Sequence, residues 1–183
     1  MREIVVFLAT SIDGYTETTD RGIDWHVVDD EFNDFAVQQL STADTLMFGR
    51  ITYDLMASYW PTEAAQADDD AVTPLMNDID KIVVSRTLTE PAWQPTRVIG
   101  EDAFARIAEL KAQPGRTILV FGSSTLVAGL LDAGLVDELR IMVMPVVLGA
   151  GISMLTAVSG RRPLTLADVR RFGSGNVLLS YRP

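Results

Sequence analysis

Residues 117–133 read TILVFGSSTLVAGLLDA, and this stretch decides the fold class. Its first part, Thr117–Phe121, is a continuous apolar run that predicts a strand covered on both faces, as in a parallel sheet. The turn Gly122-Ser123-Ser124-Thr125 follows, and an apolar stripe then predicts a helix over Ser124–Ala133 that stops at Gly134. Strand, turn and helix in this order are the repeating unit of an α/β sandwich.

The same unit recurs along the chain. Further strands are predicted from short branched apolar runs at Ile4–Ala9, Thr45–Phe48, Lys81–Ser85 and Glu138–Met144. Further helices are predicted from apolar spacing at Asp30–Leu40, Ile51–Ser58, Asp70–Asp78 and Ala103–Ala112. Ser123-Ser124 and Glu101-Asp102 are expected to cap the helices that follow them.

The C-terminal part of the chain changes character. Two extended segments, Pro163–Arg171 and Asn176–Arg182, flank Gly173-Ser174-Gly175 and predict an antiparallel hairpin. The polar stretch Thr62–Asp70 is expected to form a mobile surface loop rather than a linker. We therefore expect one α/β domain over residues 1–183, with a mostly parallel central sheet and an antiparallel C-terminal hairpin.

Composition excludes several functional classes. The 183 residues are 48% apolar and include no cysteine and one histidine, His26, which excludes disulfide scaffolds, thiol nucleophiles and multi-histidine metal sites, so no metal is expected. The N-terminal stretch resembles neither a signal peptide nor a membrane span, and a cytoplasmic location is the default expectation. Nucleic-acid or membrane binding is not expected, because the net charge is −10.

Three polar turns follow predicted strands, where open α/β sheets bind their ligands. They are Gly49-Arg50-Ile51-Thr52, Ser85-Arg86-Thr87 and Gly122-Ser123-Ser124-Thr125. The first and third lead directly into helices, whose free N–H groups bind phosphate, and the arginines add positive charge. The G-x-G-x-x-G and P-loop motifs are both absent. The pattern indicates a dinucleotide or another polyphosphate ligand held in a different way.

Taken together, several motifs resemble the dihydrofolate reductase superfamily. They are SIDGY, Trp25 with Asp29-Asp30, LMFGRITYD, KIVVSRT, ILVFGSSTLVAGLL, GLVDELRI and PVVLGAGISML. The resemblance covers about Ile4–Tyr181 and is strongest to the branch with the reductase domain of the bacterial riboflavin-biosynthesis deaminase–reductase. It implies a three-layer α/β/α sandwich, NADPH as cofactor, and hydride transfer to a pterin- or pyrimidine-type heterocycle.

The resemblance also implies a role for each turn. Gly49, Arg50 and Thr52 match positions that hold the cofactor pyrophosphate, and Ser85, Arg86 and Thr87 match the segment that receives the 2′-phosphate. Ala9 matches a position whose backbone faces the nicotinamide. The turn Gly122, Ser123, Ser124 and Thr125 matches the one that admits the pyrophosphate, although Phe121 stands where dihydrofolate reductase has the first of two glycines.

The acid of such a reductase has two candidates. Trp25 and Asp30 match a tryptophan and an acidic residue that contact the substrate and assist its protonation. Asp30 equally fits the N-terminal cap of its helix, and Asp29 competes for either role. His26 is expected at the surface or the rim of a cleft, with a substrate contact as the alternative.

The leading functional prediction is an NADPH-dependent reductase, either similar to 5-amino-6-(5-phosphoribosylamino)uracil reductase or similar to dihydrofolate reductase. The alternative is an NADP-binding module of the same fold with little or no catalysis. An apolar edge at Glu138–Met144 and in the hairpin after Pro163 predicts a homodimer, which the resemblance also implies.

Overall fold

The computed structural model describes the whole chain, Met1–Pro183. The strands are β1 Ile4–Ser11, β2 Tyr15–Glu17, β3 Ala43–Gly49, β4 Asp80–Val84, β5 Thr96–Ile99, β6 Thr117–Phe121, β7 Glu138–Met144, β8 Ile152–Ser153, β9 Thr165–Arg171 and β10 Val177–Arg182. The helices are α1 Asp30–Thr42, α2 Arg50–Tyr59, α3 Glu63–Asp68, α4 Val72–Asp78, α5 Ala103–Ala112 and α6 Ser124–Asp132. No helix combines the length and apolar character that crossing a membrane requires.

Eight strands form one sheet in the order β5-β4-β3-β6-β1-β7-β10-β9. The six strands from β5 to β7 in this order are parallel, whereas β10 is antiparallel to both of its neighbours, β7 and β9. The mostly parallel sheet with an antiparallel C-terminal hairpin is thereby confirmed. Strands β2 and β8 pair in a small separate sheet.

Alternating side chains of the buried strands build two cores, one on each face of the sheet. Val5 and Phe7 of β1 belong to a core shared with α1, α2 and α4. Ile4, Val6 and Leu8 belong to a second core, shared with α5 and α6. Because β1 is buried on both faces, its apolar residues form a continuous run rather than an alternating one. The three-layer α/β/α sandwich is confirmed.

The stretch expected to be a surface loop contains a short helix. Thr62 Oγ1 accepts from the N–H of Ala65 at 3.2 Å and so caps α3. Ala65 is fully buried and anchors the turn against the protein. The loop prediction was wrong for Glu63–Asp68, because one small buried residue is enough to fix a six-residue helix and produces no readable apolar stripe.

Three strands were missed in the sequence. Strand β5 is a four-residue edge strand, and β2 and β8 have three and two residues. Segments this short contain too few residues to establish an alternating pattern. The most consequential omission is β5, because its end adds a fourth turn to the binding edge of the sheet.

Candidate functional site

The carboxyl ends of the parallel strands meet along one edge, and three helices begin there. Helix α2 follows Gly49, α6 follows Ser123, and α5 follows Asp102. None of these three helix starts has a side-chain cap, although Ser123 and Asp102 were expected to provide one. By contrast, the N-terminus of α1 is capped by the Asp29 side chain. The free N–H groups at this edge are therefore available to an anionic ligand.

These helix starts surround an open groove of about 940 Å³, which we call the polar groove. Ser85 and Arg86 line it after β4, and Gly100 lines it after β5. Arg86 is exposed and has no ion-pair partner, whereas Arg50 is paired with Asp54 at 2.6 Å. The groove thus combines open helix N-termini and one free guanidinium, which suit phosphate groups, with the exposed carboxylates of Glu101 and Asp102.

Two glycines allow the turns after β3 and β6 to approach each other. A Cβ at Gly49 would lie 2.5 Å from Ser123 Oγ and 3.2 Å from Ser123 Cβ. Gly122 has φ +48°, and a Cβ there would lie 3.0 Å from Thr52 Oγ1. Glycine is therefore required at Gly122 by both backbone conformation and space, and at Gly49 by space.

Next to the polar groove lies a smaller, more enclosed cleft, which we call the apolar cleft. Its walls are mostly apolar and come from β1, α2 and the end of β6, and its lining residues are Phe7, Leu8, Ala9, Thr16, Glu17, Arg21, Ile23, His26, Ile51, Thr52, Leu55, Met56, Phe121, Gly122, Ser123 and Ser124. Ile51 and Ser123 line both spaces, so the groove and the cleft adjoin.

Phe121 occupies the position at which the resemblance expected a glycine. Its ring packs edge-on against Phe7 at 5.9 Å between centroids and stacks on Phe48 at 6.1 Å. The side chain thus joins the core beside α1 and α2 and forms a wall of the apolar cleft. The bend that follows is made by Gly122 alone.

Asp13 joins the loop after β1 to the loop after β7. Its carboxylate accepts from the N–H groups of Leu148 at 3.1 Å and Gly149 at 2.7 Å. Ser11 Oγ donates to the same carboxylate at 2.7 Å, and this bond, together with the two N–H donors, holds the pKa of Asp13 below its usual value. The SIDGY and PVVLGAG motifs are therefore joined in space, and Gly151 can pack directly under the carbonyl of Glu17.

The sequence comparison now decides the family. The family model of the RibD C-terminal domain matches residues 2–178. The chain belongs to this family. The Bacillus subtilis (strain 168) protein named "Uncharacterized protein YyaP" is 32% identical over 182 residues, covering 98% of this chain and 94% of that protein.

Two solved structures share the fold. One, from Shewanella sp. PV-4, carries the provisional name of a riboflavin biosynthesis protein; it is 22% identical, with a TM-score of 0.74 and 98% of each chain covered. The other is the dihydrofolate reductase of Enterococcus faecalis in complex with NADP(H), 14% identical, with a TM-score of 0.63 and 98% of this chain and 95% of that chain covered. The RibD branch that the sequence suggested is confirmed by the family model, and the fold is the one that the dihydrofolate reductase of Enterococcus faecalis also has.

Most of the residues expected at the cofactor site of this RibD-type domain lie together. Ala9, Thr52, Gly122, Ser123 and Ser124 line the apolar cleft, and the polar groove is lined by Gly49, Arg50, Ser85, Arg86, Ser123 and Thr125. Thr87 lies outside both linings, where its N–H donates to Ser85 Oγ at 3.2 Å. The turns after β3, β4 and β6 therefore share one edge of the sheet.

The two candidate acids of the RibD-type domain lie elsewhere. Asp29 caps α1, with Oδ1 accepting from the N–H of Phe32 at 2.8 Å, and Asp30 is exposed. Neither residue lines the apolar cleft. Trp25 is half-buried against the core, and its indole donates to the carbonyl of Gly22 at 3.3 Å. The capping role thus belongs to Asp29 and not to Asp30.

Sequence reasoning missed four residues that line the apolar cleft, namely Glu17 and Arg21 and, on α2, Leu55 and Met56. It left His26 open between a rim position and a substrate contact. The imidazole lines the cleft, its Nε2 is buried without a hydrogen-bond partner, and burial lowers its pKa to about 4 against a weaker opposing effect of Asp24. Gly100 of the polar groove escaped notice and Asp102 was expected only as a helix cap, because β5, which places both at the groove, was not recognised.

Proposed function

We propose that this RibD-type domain is an NADPH-dependent reductase of a pterin- or pyrimidine-type heterocycle. The observation that carries the proposal is the junction of the polar groove with the apolar cleft at Ser123. One space offers three uncapped helix starts and a free arginine, and the other offers apolar walls. NADPH is divided in the same way: its phosphate groups suit the polar groove, and its nicotinamide ring suits the apolar cleft.

Each turn has a proposed part in holding the cofactor. Gly49, Arg50 and Thr52 would hold the pyrophosphate together with the turn from Gly122 to Thr125. Ser85, Arg86 and Thr87 would receive the 2′-phosphate, and the backbone at Ala9 would face the nicotinamide. The bound cofactor would supply the hydride, while the chain would bind, orient and exclude water from the reacting rings. The NADP(H) in the Enterococcus faecalis reductase of the same fold supports this choice.

The cofactor assignment is tested by comparing NADPH with NADH in equilibrium titrations. NADPH is expected to bind more tightly by about 1–3 kcal/mol, the usual scale for hydrogen bonds to a charged group. Arg86→Ala is expected to remove most of that difference. Arg106→Ala is the matched control, because Arg106 is exposed on α5 outside the polar groove. Equal dissociation constants for the two cofactors in the parent protein would contradict the assignment.

Catalysis is tested separately, with a panel of pterins and pyrimidines monitored at the nicotinamide absorbance. Consumption of NADPH that depends on one heterocycle supports a reductase. The second candidate is a binding module that holds NADPH without turnover, and it is favoured by one observation. Neither Asp29 nor Asp30 lines the apolar cleft, so the expected acid is not next to the proposed nicotinamide position. Tight NADPH binding with no turnover across the panel would favour this module.

A further inference from the structure

The apolar cleft contains one carboxylate, that of Glu17. Neither Asp29 nor Asp30 lines this cleft, and Glu17 is the only acidic residue that does. Its side chain is 17% exposed and is paired with Arg21, whose Nη1 donates to Glu17 Oε2 at 3.1 Å. If a carboxylate contacts a ring bound in this cleft, it is therefore Glu17.

Glu17 lies on a strand whose backbone is fixed by the segment after β7. Strand β2 pairs with β8, with Glu17 opposite Ile152, and Thr16 Oγ1 donates to the carbonyl of Ile152 at 3.2 Å. Gly151 packs so closely that a Cβ there would lie 2.2 Å from the carbonyl oxygen of Glu17. Because the backbone is already ordered, little conformational entropy is lost when Glu17 binds a ligand.

The pair formed by Glu17 and Arg21 keeps hydrogen-bonding capacity for a ligand. Glu17 Oε1 accepts no hydrogen bond from the protein and, unlike His26 Nε2, is not buried. Arg21 is half exposed and donates one N–H to Glu17, which leaves the other N–H groups of its guanidinium free. The pair therefore presents accepting oxygens beside donating N–H groups.

This pair is complementary to a ring edge with two adjacent N–H donors followed by a carbonyl. The carboxylate can accept from both donors, and the guanidinium can donate to the carbonyl. A pterin has this order along its 2-amino group, N3–H and C4 carbonyl, and 6-aminouracil has it along its amino group, N1–H and C2 carbonyl. Phe7 and Phe121, which also line the cleft, suit the faces of such a ring.

We propose that Glu17 is the carboxylate that binds the N–H edge of a heterocycle in the apolar cleft, and that Arg21 binds the neighbouring carbonyl. The proposal rests on the proposed function, since the ring is taken to be the partner of the nicotinamide. It deepens that function in two ways. The substrate-binding carboxylate lies on β2 and not at the start of α1, and the substrate class is defined by two adjacent N–H donors next to a carbonyl.

The substrate class is tested by calorimetric titration of the NADP⁺-loaded protein, in which the cofactor has no hydride to transfer. One matched pair is 6,7-dimethylpterin and 6,7-dimethyllumazine, and the other is 6-aminouracil and uracil. Only the first ring of each pair has the two adjacent donors. In any pair that binds, the first ring is expected to bind at least tenfold more tightly. Equal affinities within a pair, the opposite order, or no binding of either first ring would overturn the proposal.

The role of Glu17 is tested with Glu17→Gln, which replaces one accepting oxygen by a donor. The variant is expected to bind the first ring of a pair at least tenfold more weakly, whereas its affinity for the second ring changes less than threefold. The NADP⁺ dissociation constant is expected to change less than twofold. Glu90→Gln, at an exposed position outside both the cleft and the groove, is the matched control. Equal losses for the two rings of a pair would show a structural role and overturn the assignment.

Arg21→Met separates the part of the guanidinium from that of the carboxylate. Both rings of a pair have the carbonyl, so both are expected to bind more weakly by similar factors, and the preference for the first ring is expected to remain. Unchanged affinities for both rings would overturn the part assigned to Arg21. Failure of NADPH and NADP⁺ to bind the parent protein would instead refute the proposed function, so the two failures are distinguishable.

Discussion

Asp29 and Asp30 are adjacent carboxylates with different surroundings. Asp29 accepts from the N–H of Phe32 and caps α1, whereas Asp30 is exposed. Asp29→Ala is expected to lower the free energy of unfolding by about 1 kcal/mol, and Asp29→Asn to leave it nearly unchanged, because asparagine accepts the same bond. Chemical denaturation of both variants measures the difference. Equal losses in the two variants would contradict the capping role.

A catalytic role of Asp29 or Asp30 remains a prediction from the sequence. Since neither lines the apolar cleft, Asp29→Asn and Asp30→Asn are expected to turn over an identified substrate at the parent rate. A rate reduced by about 10²–10⁴, which is typical when a general acid or base is lost, would assign that carboxylate to the chemistry. The two variants are measured in parallel, so that each serves as the control for its neighbour.

His26 makes stability depend on pH. The pKa of His26 is about 4 in the folded chain, whereas the ordinary value, which applies to the unfolded chain, is 6.5. The unfolded chain therefore binds the proton more readily. The neutral imidazole therefore contributes fully above pH 6.5, and the contribution is lost as the pH falls from 6.5 to about 4. The loss is about 3 kcal/mol for a shift of this size.

This loss is measured as the difference in unfolding free energy between the parent protein and His26→Phe. Between pH 7 and pH 4 the parent protein is expected to lose about 3 kcal/mol of unfolding free energy relative to His26→Phe, because the variant has no imidazole to protonate. Any constant effect of the phenyl ring cancels in this comparison. A difference that does not change with pH would show that His26 titrates normally in the folded chain.

At the scale of elements, the close approach of two strand-to-helix turns depends on Gly49. This residue has φ −75°, which alanine also adopts, so Gly49→Ala acts through space and not through backbone strain. The new Cβ would press on Ser123 and separate the starts of α2 and α6. NADPH affinity is expected to fall about tenfold, which corresponds to about 1.4 kcal/mol.

The matching rescue is the double variant Gly49→Ala with Ser123→Gly, which removes the atoms that the new Cβ would meet. It is expected to regain most of the lost NADPH affinity. Gly160→Ala is the control, since no atom lies within 4 Å of a Cβ there. If the double variant binds NADPH no better than Gly49→Ala, the contact with Ser123 is not the cause.

At the scale of the whole molecule, the outer hairpin leaves an apolar sheet face exposed. Leu166 and Val169 of β9 are 52% and 49% exposed, and by register they lie beside Tyr181 and Leu179 of β10. The opposite face of the hairpin lies against α1, where Arg170 contacts the ring of Phe35. An open apolar strand face of this kind favours association with a second copy.

Sedimentation at micromolar concentration is therefore expected to give twice the chain mass. The double variant Leu166→Lys with Val169→Lys is expected to give a single chain, because two buried lysines would face each other or apolar surface across the interface. Val28→Lys, at another exposed apolar position, is the control and is expected to remain dimeric. A parent protein that sediments as one chain would refute the homodimer.

The local pattern of the sequence was enough to predict the layered fold and the polar turns at the ends of its strands. Strands buried on both faces must be apolar without interruption, so β1, β3, β4, β6 and β7 could be recognised from their composition. The turns after these strands contain glycine, serine and arginine, and each turn can be recognised in the sequence without knowledge of the others. The parallel order of the strands then requires those turns to share an edge, as the structure shows.

The tertiary structure alone decided the cap of α1, the short strands β2, β5 and β8, and the membership of the apolar cleft. Glu17, His26, Leu55 and Phe121 meet there although no pattern in the sequence relates them. The physical reason is that a strand or helix periodicity reports which face a residue takes within its own element. Which distant faces come into contact, and whether a polar atom such as His26 Nε2 finds a partner, is determined only when the elements pack.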